Sequence, residues 1–409
     1  MAKPRNRSKV SVPVVVQRIV KIQSSRAAAS VNLTEYLELQ AILAALESAY
    51  ELDGSLAEIE RRAVFGTAVT ELAKRPVVDV TGLKREIDAA ERAELSVPLV
   101  RYAFTSTLSL APPANAIEST VDSMRVRIMP GMPAAFARHR ATAKHIEPPE
   151  VAPAGRAAII VSVRARSVHQ ATDQALFAAD VVRGALNFFV NAKRLAPLSR
   201  AGLMKPINPI RLGRVHTLHR PRGGLAHADY WFERFFYPSP TFGTRKAFED
   251  LRRRELELRR RLAFVPYGDE LRDGLVRYVR ALDGIDHEST FLKLWSVLEY
   301  LTGIQNARYD DIVRRVSFLF GDGDWYRTIL ENLRDQRNRN VHAGTQSEEV
   351  EYLMFRAKFF VERVLLFHLQ SAGLFTTLAE ACEFLSLSSD PMTLKAEIAK
   401  RRLALKFRK

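Results

Sequence analysis

Arg337, Asn338 and His342 fall within the six-residue run Arg337-Asn338-Arg339-Asn340-Val341-His342. A guanidinium grips a phosphate, an amide orients it, and an imidazole moves a proton. Together they form the smallest kit for cutting RNA without a metal, because RNA carries its own nucleophile in the 2′-hydroxyl beside each phosphate. With a pKa of about 6.5, an imidazole takes that proton or protonates the leaving 5′-oxygen. The arginine fork matches phosphate oxygens and stabilises the charge that builds around phosphorus in the transition state. Such chemistry predicts a 2′,3′-cyclic phosphate and a 5′-hydroxyl as products, leaves DNA intact and calls for no cofactor.

An arginine and a histidine with four to six residues between them select nothing in so basic a chain. Arg140/His145, Arg164/His169, Arg211/His216, Arg214/His219, Arg222/His227, Arg280/His287 and Arg363/His368 repeat the pattern. The elements around the run do the selecting. Asp286 is a natural N-cap, and Phe291, Leu294, Trp295, Leu298 and Leu301 recur at i, i+3, i+4, i+7 and i+10. That is one apolar stripe, closed by Gly303, with Glu299 as a carboxylate beside it. From Trp325 a second helix puts Leu330, Leu333, Arg337 and Val341 at i, i+3, i+7 and i+11. Arg337 thus takes a slot that its neighbours use for packing. A charge there is costly unless it is paired or open to an anion. Glu299 is the expected partner and an RNA phosphate the expected ligand.

Asn338 and His342, four apart, share one flank of the helix, about 40° from each other. Arg337 and His342, five apart, stand about 140° round the cylinder. One straight helix does not easily aim both at a single phosphate. Either the helix breaks near Ala343-Gly344, or two copies of the chain face each other and complete one cleft.

The helix Phe291-Leu292-Lys293-Leu294-Trp295-Ser296-Val297-Leu298-Glu299, the run from Arg337 to Gly344 and a long helix from Glu348 to Leu369 together resemble the HEPN superfamily of helical-bundle ribonucleases, in particular its Apea-like branch. The resemblance covers residues 265–375. It implies a metal-independent ribonuclease site at the cleft of a homodimer or higher homo-oligomer. There Arg337 holds the scissile phosphate, Asn338 orients it and His342 serves as general base or acid. It also implies a role in bacterial antiviral defence or toxin-like growth arrest. One subgroup carries a Tyr two residues after the His that a partner enzyme modifies; Gly344 stands at that place here, so that silencing scheme is not expected.

The rest of the sequence sets bounds. A chain of 409 residues, 47% hydrophobic and 26% charged, has room for two or three folded domains. Cys382 is the single cysteine, which excludes an internal disulfide and a cysteine-built zinc site. The basic start, Met1 to Lys9, is followed by no apolar run of signal-peptide length, since Val12 to Val16 is too short. No segment has the roughly 18–20 uninterrupted apolar residues of a spanning helix. The expectation is a cytoplasmic protein with no membrane partner. The net charge of +16 favours a polyanion, and RNA is the expected partner.

The expected fold is α-rich: a C-terminal HEPN-like helical bundle preceded by a mixed α/β region. Residues 1–156 read as a helical N-terminal region with a Pro-rich, irregular segment at 112–156, and residues 1–10 as a loose basic arm. In the first helix Asn32 and Glu35 are spaced as a capping box. Residues 157–240 read as a small α/β segment, with a strand at Ala157–Val163, a helix at Ser167–Phe189 and a hairpin around Gly223-Gly224. Residues 241–409 read as the bundle, ending in a frayed basic tail from Lys400.

Two further groups carry possible chemistry. His216, His219, His227 and Asp229 have the elements of a metal site, but His216 and His219 point to opposite faces of one strand, so no metal is expected. In the helix from Arg252 to Arg261 the basic triplets repeat seven apart, nearly on one face. Arg252, Arg253, Arg259 and Arg260, with Arg339, are therefore candidate nucleic-acid contacts. Two alternatives to a ribonuclease stand: a non-catalytic RNA-binding or regulatory module on the same bundle, and a duplex-DNA regulator resting on the basic helix. Walker, dinucleotide-binding, zincin and serine-hydrolase motifs do not occur.

Overall fold

A computed structural model describes residues 2–5, 9–25, 33–143, 155–194, 205–229, 231–233, 236–303, 309–343 and 350–408, with backbone only at 23–25, 33, 245–247, 309 and 340–343. The N-terminal elements are β1 (Lys3–Pro4), α1 (Val12–Ser25), α2 (Leu33–Ala49), β2 (Tyr50–Glu51), α3 (Glu58–Ala73) and α4 (Val80–Ser96). There follow β3 (Val100–Leu108), β4 (Ile117–Val121), β5 (Met124–Met129), α5 (Ala134–Arg140), β6 (Ala157–Ala165), α6 (Val168–Asn191), β7 (Val215–His219) and β8 (Trp231–Phe232). From α7 (Arg245–Phe264) the chain is helical: α8 (Gly268–Ala281), α9 (His287–Leu301), α10 (Tyr309–Ser317), α11 (Gly323–Ala343), α12 (Val350–Gln370), α13 (Leu378–Phe384) and α14 (Pro391–Phe407). The protein is α-rich with a mixed α/β part, and its larger sheet has the strand order β4-β5-β6-β3-β7-β8.

The chain separates into two compact units, one of Met1–Phe104, Ser162–Ala175 and Leu218–His227, the other of Thr105–Val161, Leu176–Thr217 and Ala228–Lys409. Strand pairing draws together stretches far apart in sequence, and composition along the chain carries no trace of that.

In the first unit the core is formed by Leu46, Phe65, Ala68, Leu72, Leu83 and Ile87. Glu60 reaches back to the Ala57 amide at 2.8 Å, and the Asp79 side chain accepts from the Gly82 amide at 2.6 Å. These side chains satisfy helix-end donors that otherwise lack a partner. Asn32 lies outside the described residues. The expected loose arm is pinned: β1 pairs antiparallel with β2, and the Ala2 amide donates to Asp88 at 2.9 Å.

The second unit holds the bundle. The Asp286 carboxylate caps α9 by accepting from the Glu288 and Ser289 amides. Phe291, Leu294, Trp295, Leu298 and Leu301 are all fully buried, each contributing about 1.5–3 kcal/mol. Gly303, at φ +64°, ends the helix. α9 packs on α8 and α12, and Leu330 and Leu333 of α11 join the same core. At Gly274 of α8 a Cβ would stand 2.6 Å from Leu301 Cδ2, so only glycine allows that approach.

Two further sequence expectations need correction. The Pro-rich segment contains the β4–β5 hairpin, with Val121 paired to Met124 around a two-residue turn in which Asp122 has φ +51°. Val126 and Ile128 alternate inward there with period two, a pattern too short to stand out among the prolines. The tail from Lys400 is not frayed; it belongs to α14, which the Asp390 carboxylate caps and which buries no side chain. No helix among the described residues is long and apolar enough to cross a membrane.

Candidate active site on the C-terminal bundle

α11 is one continuous helix that carries Arg337, Asn338, Arg339 and His342. Its inward stripe runs through Leu330 and Leu333, both buried, and reaches Arg337 one turn further on. There the helix face meets α9 at Glu299. Arg337 Nη2 is 3.9 Å from Glu299 Oε1, and both side chains are about a quarter exposed, 21% and 25%. Arg337 Nη1 donates to Asn338 Oδ1 at a long 3.4 Å. Neither contact has the short, bidentate geometry of a closed arginine–carboxylate pair.

Burial raises the Glu299 pKa above the ordinary carboxylate value, while the Arg337 charge and the Trp295 indole pull it back. The desolvation outweighs the attraction. Arg339 is exposed on the next face of the helix.

The structure therefore brings Arg337, Asn338 and Glu299 together. His342 has a helical backbone and its side chain lies outside the described residues. With no break between them, Arg337 and His342 stand about 140° apart in helical register. Gly344 lies outside the described residues, but a break beyond Ala343 does not change that angle.

The basic helix α7 divides into two rows. Arg252 pairs with Glu255 and donates to Ser119 Oγ at 3.1 Å and the Glu118 carbonyl at 2.8 Å. Arg259 pairs with the same carboxylate and donates to the Thr120 carbonyl at 3.1 Å and Ser119 Oγ at 3.2 Å. Glu255 is fully buried, and the three side chains stitch α7 to β4. Arg252 and Arg259 thus spend their donors on the protein rather than on an open phosphate-facing side. One position further along each triplet, Arg253 and Arg260 are exposed, Arg253 beside Asp250. The seven-residue repeat is real, but it yields one inward row and one outward row.

The histidine group does not gather. His216 Nδ1 is 2.8 Å from Ser106 Oγ, and its Nε2 is 3.3 Å from Glu233 Oε1. His219 Nδ1 donates to the Gly223 carbonyl at 2.7 Å, and the His227 ring lies against His169. Asp229 does not bring these side chains to a common centre, and no group of three or more His, Cys, Asp or Glu side chains among the described residues is placed to hold a metal ion. Hydroxyl, imidazole and carboxylate are in the order of a serine-hydrolase triad at Ser106, His216 and Glu233. Ser106 is fully buried, however, so no substrate reaches its oxygen. The exposed member is Glu233, whose carboxyl is held below its ordinary pKa chiefly by the His216 hydrogen bond. No spacing in the sequence points to this set, because its members come from β3, β7 and the residue after β8.

Searches of the chain against protein-family models, curated proteins and solved structures found no match.

Proposed function

We propose that the chain is a metal-independent endoribonuclease whose site is built from Arg337, Asn338 and His342, with Glu299 holding Arg337 in place. The observation that carries this reading is the Arg337 guanidinium at the end of the buried α11 stripe, beside Asn338, with the Glu299 carboxylate 3.9 Å away. Glu299 and Asn338 flank the guanidinium and orient the fork that would grip a phosphate. His342 follows on the same helix and supplies the proton-transfer group.

The step is a transesterification. The ribose 2′-oxygen loses its proton to an imidazole and attacks phosphorus, the P–O5′ bond breaks, and the 5′-oxygen takes up a proton. Arg337 stabilises the equatorial oxygens as charge builds on them. The angle between Arg337 and His342 on an unbroken helix argues for a composite site, in which one copy supplies the guanidinium and its partner the imidazole. The net charge of +16 and the exposed Arg253, Arg260 and Arg339 supply long-range attraction for the polyanion.

A second reading, an RNA-binding module without turnover, is favoured by the outer row of α7 and by α14, whose Lys395, Lys400, Arg401, Arg402 and Lys406 are all exposed. Incubating total RNA with the wild-type chain and with His342→Ala separates the two. Cleavage that disappears with the imidazole supports the enzyme; retention of RNA by both proteins with no cleavage supports the binder.

A further inference from the structure

A cavity of about 440 Å³ opens in the second unit among α6, α8, α9, the residues just before β7 and the stretch that begins in β8. Its wall includes Arg211, Arg280, Lys293, Phe232, Phe236 and Glu233. Behind it, Arg183 is 2.7 Å from Asp283 and also pairs with Asp180, which in turn takes Arg280 at 2.6 Å. Arg211 reaches Asp283 only at 3.4 Å and donates to the Tyr237 carbonyl at 2.6 Å. Three guanidiniums therefore share two carboxylates, and Lys293 adds a fourth cation that pairs with no described carboxylate. Glu233, the remaining acid, is engaged with His216.

A surplus of positive charge beside two buried guanidiniums is expensive in an apolar interior. Arg183 and Arg211 have side chains only 2% and 8% exposed. Burial pulls the Arg183 guanidinium down, yet Asp180 and Asp283 outweigh it and hold it above its ordinary value. For Arg211, burial wins over Asp283 and its pKa falls. The deficit of compensating charge thus sits at the cavity wall.

The frame is fixed by a further polar chain. Asn208 donates to Asp283 at 2.8 Å and to the Val279 carbonyl at 2.6 Å, and Asn191 donates to Asn208 at 2.8 Å. The lining is prearranged and does not need to form around a ligand.

At the mouth, Phe232 is 44% exposed and Phe236 half-buried, an arrangement that leaves apolar ring area in water. Such rings offer stacking surfaces for a flat base. The exposed Glu233 carboxylate accepts hydrogen bonds and suits the hydroxyls of a ribose. The volume falls in the range of small-molecule sites.

We propose that this cavity binds a nucleoside phosphate, with Lys293, Arg280 and Arg211 on the phosphate, Phe232 and Phe236 against the base and Glu233 on the ribose. The site is separate from Arg337 and does not rest on the ribonuclease reading.

Calorimetric titration of the full chain with AMP, ADP, ATP and the guanosine series, beside inorganic phosphate and adenosine, tests it. Lys293→Ala and Phe232→Ala are the informative variants, because both side chains are exposed and their removal leaves the core intact. At least one mononucleotide should bind, with affinity lowered about tenfold or more by either variant, a loss of about 1.4 kcal/mol. Phe232→Ala should spare binding of inorganic phosphate, and adenosine should bind more weakly than its phosphates. Absence of mononucleotide binding at about 1 mM would overturn the proposal. So would phosphate binding as tightly as any nucleotide, or variants that bind as the wild type does.

Discussion

Arg337 Nη2 and Glu299 Oε1 meet across α11 and α9 at 3.9 Å, the outer edge of an ion pair. Burial lifts the Glu299 pKa in spite of the neighbouring guanidinium. The carboxylate consequently orients Arg337 at a cost to the folded state.

That cost has a sign that can be measured. A carboxyl whose folded pKa is raised penalises the fold above that pKa, and the penalty lifts as pH falls through it. Glu299→Gln should therefore melt slightly higher than the wild type at neutral pH, with the difference closing on acidification. The same variant should lose RNA cleavage by roughly threefold to tenfold, mostly in kcat, because the guanidinium is no longer held in place. A Glu299→Gln protein that cleaves at the wild-type rate would remove Glu299 from the account.

The composite-site geometry predicts complementation. Arg337→Ala and His342→Ala should each be inactive alone. Mixed and allowed to exchange subunits, they should regain about a quarter of wild-type activity, since half the dimers are mixed and each rebuilds one of two sites. A mixture as inactive as its components would place both groups within one subunit or remove them from the reaction.

Glu255 and the outer arginines of α7 should separate stability from binding. Removing a buried carboxylate that pairs with two guanidiniums leaves uncompensated charge, so Glu255→Ala should lower unfolding free energy by about 3–5 kcal/mol. Arg253→Ala and Arg260→Ala should leave denaturant midpoints unchanged. Each should reduce the salt dependence of RNA affinity by about one unit of slope. Equal slopes for wild type and both variants would exclude this row from the interface.

His368 makes stability pH-dependent. It is fully buried, accepts from the Tyr267 hydroxyl at Nδ1 (3.1 Å) and donates from Nε2 to the Leu301 carbonyl (3.0 Å). Burial lowers its pKa to about 4, against a smaller opposing push from the Leu301 bond. The unfolded chain takes up this proton first, so its contribution is complete above about pH 6.5, declines as pH falls, and is exhausted below about pH 4. The loss over that window is on the order of 3 kcal/mol. Urea midpoints for wild type and His368→Gln should converge between pH 7 and pH 4.5; parallel curves would show that His368 does not titrate as described.

Local signals in the sequence were enough to place α9 and α11. Asp286, the Phe291–Leu301 stripe and Gly303 each act within one helix, as do Leu330, Leu333 and Arg337. The Arg337–Glu299 approach was legible for the same reason, since two apolar stripes facing one core bring their flanking charges together. The inward turn of Arg252 and Arg259 was not, because their acceptors lie on β4, over 130 residues away. The β4–β5 hairpin was hidden among prolines. The cavity around Arg211 and Lys293 draws on five separated stretches, and no window of sequence contains its charge balance.

Incubation of a defined RNA with wild-type protein and His342→Ala in excess EDTA is the most direct test of the central claim. The account predicts cleavage by the wild type alone, giving 2′,3′-cyclic phosphate and 5′-hydroxyl ends and leaving the matching DNA intact. Cleavage that needs a divalent metal, or that proceeds equally in His342→Ala, would contradict it.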